Sequence, residues 1–150
     1  MMISNDARLL LVLAGSLAFS THGAGAPNMQ VGEWENGVEM KMDVPGLPFA
    51  MPAIRFKTKK CLTEKDMVPN PSKENQRCEV KNQQVSGNKV TWQTVCTDKD
   101  GTTEGEGEIT YSGESYQGTV HARMIPKKAN AQPVKVDYKL NGRYLGVCKK

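Results

Sequence analysis

The chain has 150 residues, of which 38% are apolar, 24% charged and 6% aromatic; that is material for one domain and argues against a two-domain enzyme or a repeat array. Lys and Arg number 20 against 16 Asp and Glu, leaving +4, which is too thin a positive balance to make nucleic acid an expected partner.

Arg8 is followed by the apolar run Leu9-Leu10-Leu11-Val12-Leu13-Ala14-Gly15-Ser16-Leu17-Ala18-Phe19 and then by the small residues of Ser20-Thr21-His22-Gly23-Ala24-Gly25-Ala26. A charged start, a short apolar stretch and a small-residue exit describe a secretory signal peptide, here residues 1–26. The run is too short to span a bilayer, which takes about 20 apolar residues, so no membrane anchor is expected after cleavage. A cut after Ala26 satisfies the small-x-small rule through Ala24 and Ala26 but puts Pro27 just past the scissile bond, so cuts after Ser20, Ala24 or Gly25 stay open. No cysteine follows the run, so a lipid anchor has no attachment point there. Removing residues 1–25 takes away Asp6 and Arg8 and leaves the charge at +4. Residues 27–150 then form a single periplasmic or secreted domain.

From Gln30 onward apolar residues recur at every second position, which is the pattern of half-buried strands. An Asn36-Gly37 turn is expected to split the first long strand in two. Residues 44–53 are apolar but hold Pro45, Pro48 and Pro52, so they read as a loop that is a lid, a partner contact or a cover for the sheet's open end. Ile54, Phe56 and Thr58 alternate with Arg55, Lys57 and Lys59. Thr63-Glu64-Lys65-Asp66 resembles a capping box and predicts one short helix, ended by Pro69 and Pro71. Further strands follow in Val90-Trp92-Thr94-Cys96, Ile109-Tyr111, Tyr116-Gly118-Val120-Ala122-Met124 and Val134-Val136-Tyr138-Leu140. Turns are expected at Ser86-Gly87-Asn88, Asp100-Gly101, Ser112-Gly113-Glu114 and Asn141-Gly142, with a polar connection over residues 127–133. The fold class is therefore all-β: an antiparallel meander of about seven to eight short strands, rolled into a small barrel or a strongly curved sheet to cover its apolar face.

Cys61, Cys78, Cys96 and Cys148 are an even set in an exported chain, which reads as two disulfides; no C-x-x-C pair points to zinc or redox chemistry. Of the three connectivities, Cys61–Cys78 with Cys96–Cys148 is favoured, the first closing a Pro/Asn-rich loop and the second tying the chain's end to a central strand.

Gly32-Glu33-Trp34-Glu35, Cys61-Leu62-Thr63 before an acidic turn, Cys78, Ser86-Gly87-Asn88, Cys96, Gly105-Glu106-Gly107 and a closing Gly146-Val147-Cys148 together resemble a family of small exported bacterial proteins catalogued as a domain of unknown function. The resemblance covers about residues 28–148. It implies export across the inner membrane of a Gram-negative-type bacterium and an all-β, disulfide-bonded domain, and it supplies no catalytic residues to transfer.

Nucleophilic catalysis needs a base beside the nucleophile, and past the leader there is one histidine, His121, on a wet strand face. Gly113-Glu114-Ser115-Tyr116-Gln117 misses the nucleophile-elbow pattern at its last position. Glu104, Glu106 and Glu108 share one face of a strand, a solvated row that would have to serve any acid–base or cation site. Asp98-Lys99-Asp100-Gly101 fits a hairpin better than a calcium loop. Met29, Met40, Met42 and Met51 offer thioethers but no histidine or free cysteine to complete a Cu(I) set, so they read as packing residues. Arg55, Lys57 and Lys59 form a basic stripe, extended by Lys127, Lys128, Lys149 and Lys150, suited to an anionic envelope polymer or lipid headgroup.

The leading expectation is a non-enzymatic exported β-domain acting as an envelope accessory or interaction module, with no cofactor, no metal and either an envelope protein or an anionic envelope component as partner. The alternative is a carrier of a small apolar ligand, lined by Trp34, Met40, Phe56, Trp92, Tyr111, Tyr116 and Tyr138 under residues 44–53 as lid. An enzyme would have to work through the Glu104, Glu106 and Glu108 row.

Overall fold

Alternating sequences with one dry face pair side by side, and the computed structural model, which describes residues 25–69 and 75–149, places all of them in one sheet. The signal-peptide reading falls almost wholly on residues 1–24, outside the described residues. The strands are β1 (Gly32–Asp43), β2 (Ile54–Leu62), β3 (Arg77–Ser86), β4 (Lys89–Thr97), β5 (Gly101–Tyr111), β6 (Ser115–Pro126) and β7 (Val134–Gly146). Their order across the sheet is β2-β1-β7-β6-β5-β4-β3, with every neighbouring pair antiparallel. β3 to β7 is the expected meander, whereas β1 and β2 form a separate hairpin that joins it through β1 and β7. β2 and β3 stand at opposite edges of this seven-stranded sheet, so it is an open sheet and not a hydrogen-bonded barrel.

Three of the expected turns are where the sequence puts them, and two Asn-Gly turns are not. Neither Asn36-Gly37 nor Asn141-Gly142 interrupts its strand; they face each other across the β1–β7 ladder, Asn36 opposite Gly142 and Gly37 opposite Asn141. Gly37 and Gly142 are not among the glycines with positive φ that such a turn requires. Their role is packing. The ring of Tyr116 occupies the space a Cβ on Gly142 would fill, and the Tyr116 hydroxyl donates to Asn36 Oδ1 at 2.7 Å.

The same device recurs one layer along, where the Trp92 indole of β4 lies over Gly107 of β5, directly opposite it in register. Bare strand positions let large rings lie flat against the sheet, and the resulting core joins Trp34, Leu62, Val90, Trp92, Ile109, Tyr111 and Tyr116. Trp34 meets Tyr116 at 5.6 Å between ring centroids although β7 runs between their strands, and Tyr116 meets Tyr111 at 5.6 Å. Residues 63–69 lie against this cluster through Met67 and Val68, and the Tyr111 hydroxyl donates to the Met67 carbonyl at 2.8 Å.

The helix expected after Cys61 is not an α-helix. Only a three-residue 3-10 turn, Glu64–Asp66, forms there. The capping box does close, with the Asp66 carboxylate accepting from the Thr63 N–H at 2.9 Å, but the segment is spent on covering the core before Pro69.

Disulfide pairing differs from the favoured arrangement: the bonds are Cys78–Cys96 and Cys61–Cys148. Register decides the first, because Cys78 and Cys96 are directly opposite on β3 and β4 with Cα atoms 4.0 Å apart. Topology decides the second, because the end of β2 and the end of β7 both flank the start of β1, opposite Glu33. In the chain-entropy account, loops of 18 and 87 residues stabilise by about 3 and about 4.5 kcal/mol. A peptide map of unreduced protein is expected to join the Cys78 peptide to that of Cys96, and Cys61 to Cys148.

The ring-over-glycine packing makes a second forecast. Gly142→Ala is expected to cost about 1–3 kcal/mol in urea unfolding, since Tyr116 has to move. Gly105→Ala, where a Cβ would meet Ala122 Cβ at 3.6 Å, is expected to be near neutral.

Candidate functional site

Alternation gives the sheet an inner and an outer face, and register shows how the inner one is used. One inner row runs Trp92, Gly107, Val120, Tyr138, Met40, Ile54 from β4 to β2, and the next runs Val90, Ile109, Gly118, Leu140, Val38, Phe56. Burial falls along both: Val90 and Trp92 are buried, Tyr138 and Met40 half-buried, and Phe56 and Ile54 are 48% and 45% exposed. The inner face is therefore one continuous apolar surface, covered at one end and open at the other.

The seven expected lining residues divide accordingly. Trp34, Trp92, Tyr111 and Tyr116 fill the core, with Trp34 Nε1 donating to the Gln30 carbonyl at 2.8 Å and both tyrosine hydroxyls bonded as above. Met40, Phe56 and Tyr138 lie on the open half. Of residues 44–53, Leu47, Pro48 and Phe49 are exposed and do not pack over that half, while Val44, Met51 and Ala53 are half-buried. Ile54 and Met124 also belong to the open surface, beyond the seven expected lining residues; alternation along a strand reads the same whether or not something covers it.

On the outer face the basic stripe is partly neutralised by β1. Arg55 Nε donates to Glu39 Oε2 at 2.7 Å, and Glu35 Oε1 is within 3.4 Å of both Lys57 Nζ and Arg143 Nη2. These contacts hold the Glu35 and Glu39 carboxyls below the ordinary carboxylate range, through hydrogen bonds from Lys57 and Arg55 respectively. Neither glutamate stands out in the sequence, because only the register of β1 against β2 brings them opposite the stripe.

Glu104, Glu106 and Glu108 share the exposed outer side of β5. Glu108 pairs with Lys89 at 3.0 Å, and Glu106 accepts from Gln93 Nε2 at 3.1 Å. His121, also outward and exposed, lies 2.6 Å from Asp137 through Nδ1, a partner that the β6–β7 register supplies. An open groove of about 730 Å³ runs between the β3 irregularity at Asn82 and this row, lined by Asn82, Gln93, Glu106, Glu108 and His121. Among the described residues no three His, Cys, Asp or Glu side chains converge on a point where they could hold a metal ion. The methionines are not gathered either: Met40 and Met42 share the inner face, while Met29 bridges to Gly113 at the opposite end of the sheet. The Asp98 carboxylate accepts from the N–H groups of Asp100 and Gly101 at 2.8 and 3.0 Å, so it closes a hairpin.

With this geometry in place, the family model described as "Protein of unknown function (DUF3617)" matches residues 29–148. The chain belongs to that family. Neither a curated protein nor a solved structure matches it. The DUF3617 match thus spans all seven strands and all four cysteines, and it assigns no residue a role.

Burial also sets a pH limit on the DUF3617 core. It raises the Tyr111 and Tyr138 phenols, and pushes Tyr116 up from 10 to about 12. A folded pKa above the unfolded one contributes stability below pH 10 that is lost as pH rises through the folded value. Stability is therefore expected to fall between about pH 10 and pH 12, with the urea midpoint read by the sheet's circular dichroism dropping across that transition. Tyr116→Phe should shift that transition upward while costing about 1 kcal/mol at neutral pH for the lost bond to Asn36.

Proposed function

We propose that the protein is an exported, periplasmic or secreted binding domain that holds an envelope component against its sheet and turns over no substrate. The single observation carrying this reading is the inner apolar face, which is sealed around Trp34, Trp92, Tyr111 and Tyr116 and left open around Met40, Ile54, Phe56 and Tyr138. Apolar surface left open on a rigid frame gains free energy when a partner covers it. The frame is suited to the work, since two disulfides and a ring-packed core keep the open half from closing on itself. Export is supported by the disulfides, which persist in oxidising compartments, and by the leader-like sequence of residues 1–26. No helix among the described residues is long and apolar enough to cross a membrane.

The carrier reading retains Met40, Phe56 and Tyr138, the part of its lining that is not consumed by the core. A ligand held there would be partly open to solvent or to a second protein.

A photo-crosslinking amino acid at Phe56, compared with one at Thr110 on the outer face, tests the binding reading in cells that export the protein. Specific adducts are expected from position 56 and none from position 110. A small-molecule adduct at 56 would favour the carrier. Hydrolase activity of the purified protein that disappears when Glu104, Glu106 and Glu108 are replaced by Gln would overturn both.

A further inference from the structure

The geometry points to a second contact surface at one end of the sheet, shaped to rest on an anionic phospholipid leaflet. It rests on the export reading above but uses different residues from the open inner face.

Asp43 pairs with Lys135 and Met124 with Val134, so the β1–β2 connection and the β6–β7 connection leave the sheet side by side at the same end. The first of these, residues 44–53, carries no charged residue, and it presents Phe49 and Leu47 66% and 43% exposed. Pro45, Pro48 and Pro52 limit its conformations, and Gly46 at φ +86° with the Leu47 N–H bonded to the Val44 carbonyl turns its tip. A stiff apolar tip loses little entropy on binding. The neighbouring connection begins with Lys127 and Lys128, both exposed.

Charge around the tip is asymmetric. Lys41, Arg55, Lys127, Lys128 and Lys135 stand beside these two connections against Glu39, Asp43 and Asp137; Lys41 and Arg55 share Glu39, and Lys127 Nζ donates to the Asp98 carbonyl. The third turn at this end, Asp98-Lys99-Asp100, offsets one of those positive charges, and its Asp98 carboxylate is engaged with the backbone of its own hairpin. An apolar tip free of charges, with long basic side chains beside it, is the complement of a bilayer surface: lysines reach phosphates while Phe and Leu enter the acyl boundary. A soluble anionic polymer would use the lysines and leave Phe49 and Leu47 idle.

The test uses the full mature chain carrying Phe49→Trp, with vesicles of phosphatidylcholine alone or mixed with phosphatidylglycerol. Trp34 and Trp92 are buried and give a constant background. The expected result is a blue shift and quenching by brominated acyl chains with phosphatidylglycerol vesicles only, weakened by salt. Lys127→Glu with Lys128→Glu should weaken vesicle binding by more than about tenfold, at about fivefold for each basic residue brought to the surface. Phe49→Ser in the otherwise unaltered chain should weaken it by about tenfold, its fold verified by an unchanged disulfide map. Absence of binding, equal binding to neutral vesicles, binding without quenching, or equal binding by the Phe49→Ser chain each overturns the inference. Crosslinks at position 56 surviving such a result would leave the binding-domain reading standing, and their absence beside clear vesicle binding would do the reverse.

Discussion

Large rings laid over bare strand positions are the constraint on which this molecule depends. Trp92 occupies the room left by Gly107, and Tyr116 the room left by Gly142, so that rings from β1, β4, β5 and β6 can meet across intervening strands. A methyl group at either glycine would lift a ring away from the sheet and separate the cluster into pieces. The polar ends of those rings then tie down what surrounds them: Tyr111 holds the segment after β2, Tyr116 holds β1 through Asn36, and Trp34 holds the chain before β1. Burying the hydroxyls with a partner each is what allows so aromatic a core in a chain with few apolar residues to spare.

An open sheet has two edges, and each is secured covalently. Cys78–Cys96 clamps edge strand β3 to β4, and Cys61–Cys148 fastens the end of edge strand β2 to the chain beyond β7. Edge strands are where an open sheet frays or pairs with another chain. The basic outer row of β2 and the irregularity near Asn82 in β3 discourage such pairing further. The frame is thus rigid where it needs no partner, which leaves the uncovered half of the inner face as the place where free energy is still to be gained.

The placement of the two proposed contact surfaces follows from that division. At one end, residues 63–69 lie against the core through Met67 and Val68; at the other, residues 44–53 present Leu47 and Phe49 to solvent. The charged outer face is largely self-compensated through Arg55–Glu39, Lys57–Glu35, Lys89–Glu108 and His121–Asp137. Such exposed pairs add little stability each, but they leave that face without a strong field for an anionic ligand. At the end bearing Lys127 and Lys128, five exposed basic side chains stand against Glu39, Asp43, Asp137 and the acidic turn Asp98-Lys99-Asp100.

The sequence by itself determined the strands other than β3, their wet and dry sides, three of the hairpin turns, the capping box at Thr63 and the membership of Trp34, Trp92, Tyr111 and Tyr116 in the apolar set. These are local: period-2 alternation and turn chemistry act within a few residues, and the chain must obey them wherever it sits. Only the tertiary structure decided that the Asn-Gly pairs at Asn36 and Asn141 pack against each other and make no turn, that Cys78 meets Cys96, that Glu35 and Glu39 answer the basic stripe, and which half of the apolar face is covered. The Asn-Gly packing hangs on the pairing of β1 with β7, a contact between opposite ends of the chain, while the cysteine and glutamate contacts follow from the β3–β4 and β1–β2 registers. An alternating strand carries the same residues whether its neighbour is near or far in sequence, so register and cover are settled only when the whole sheet assembles.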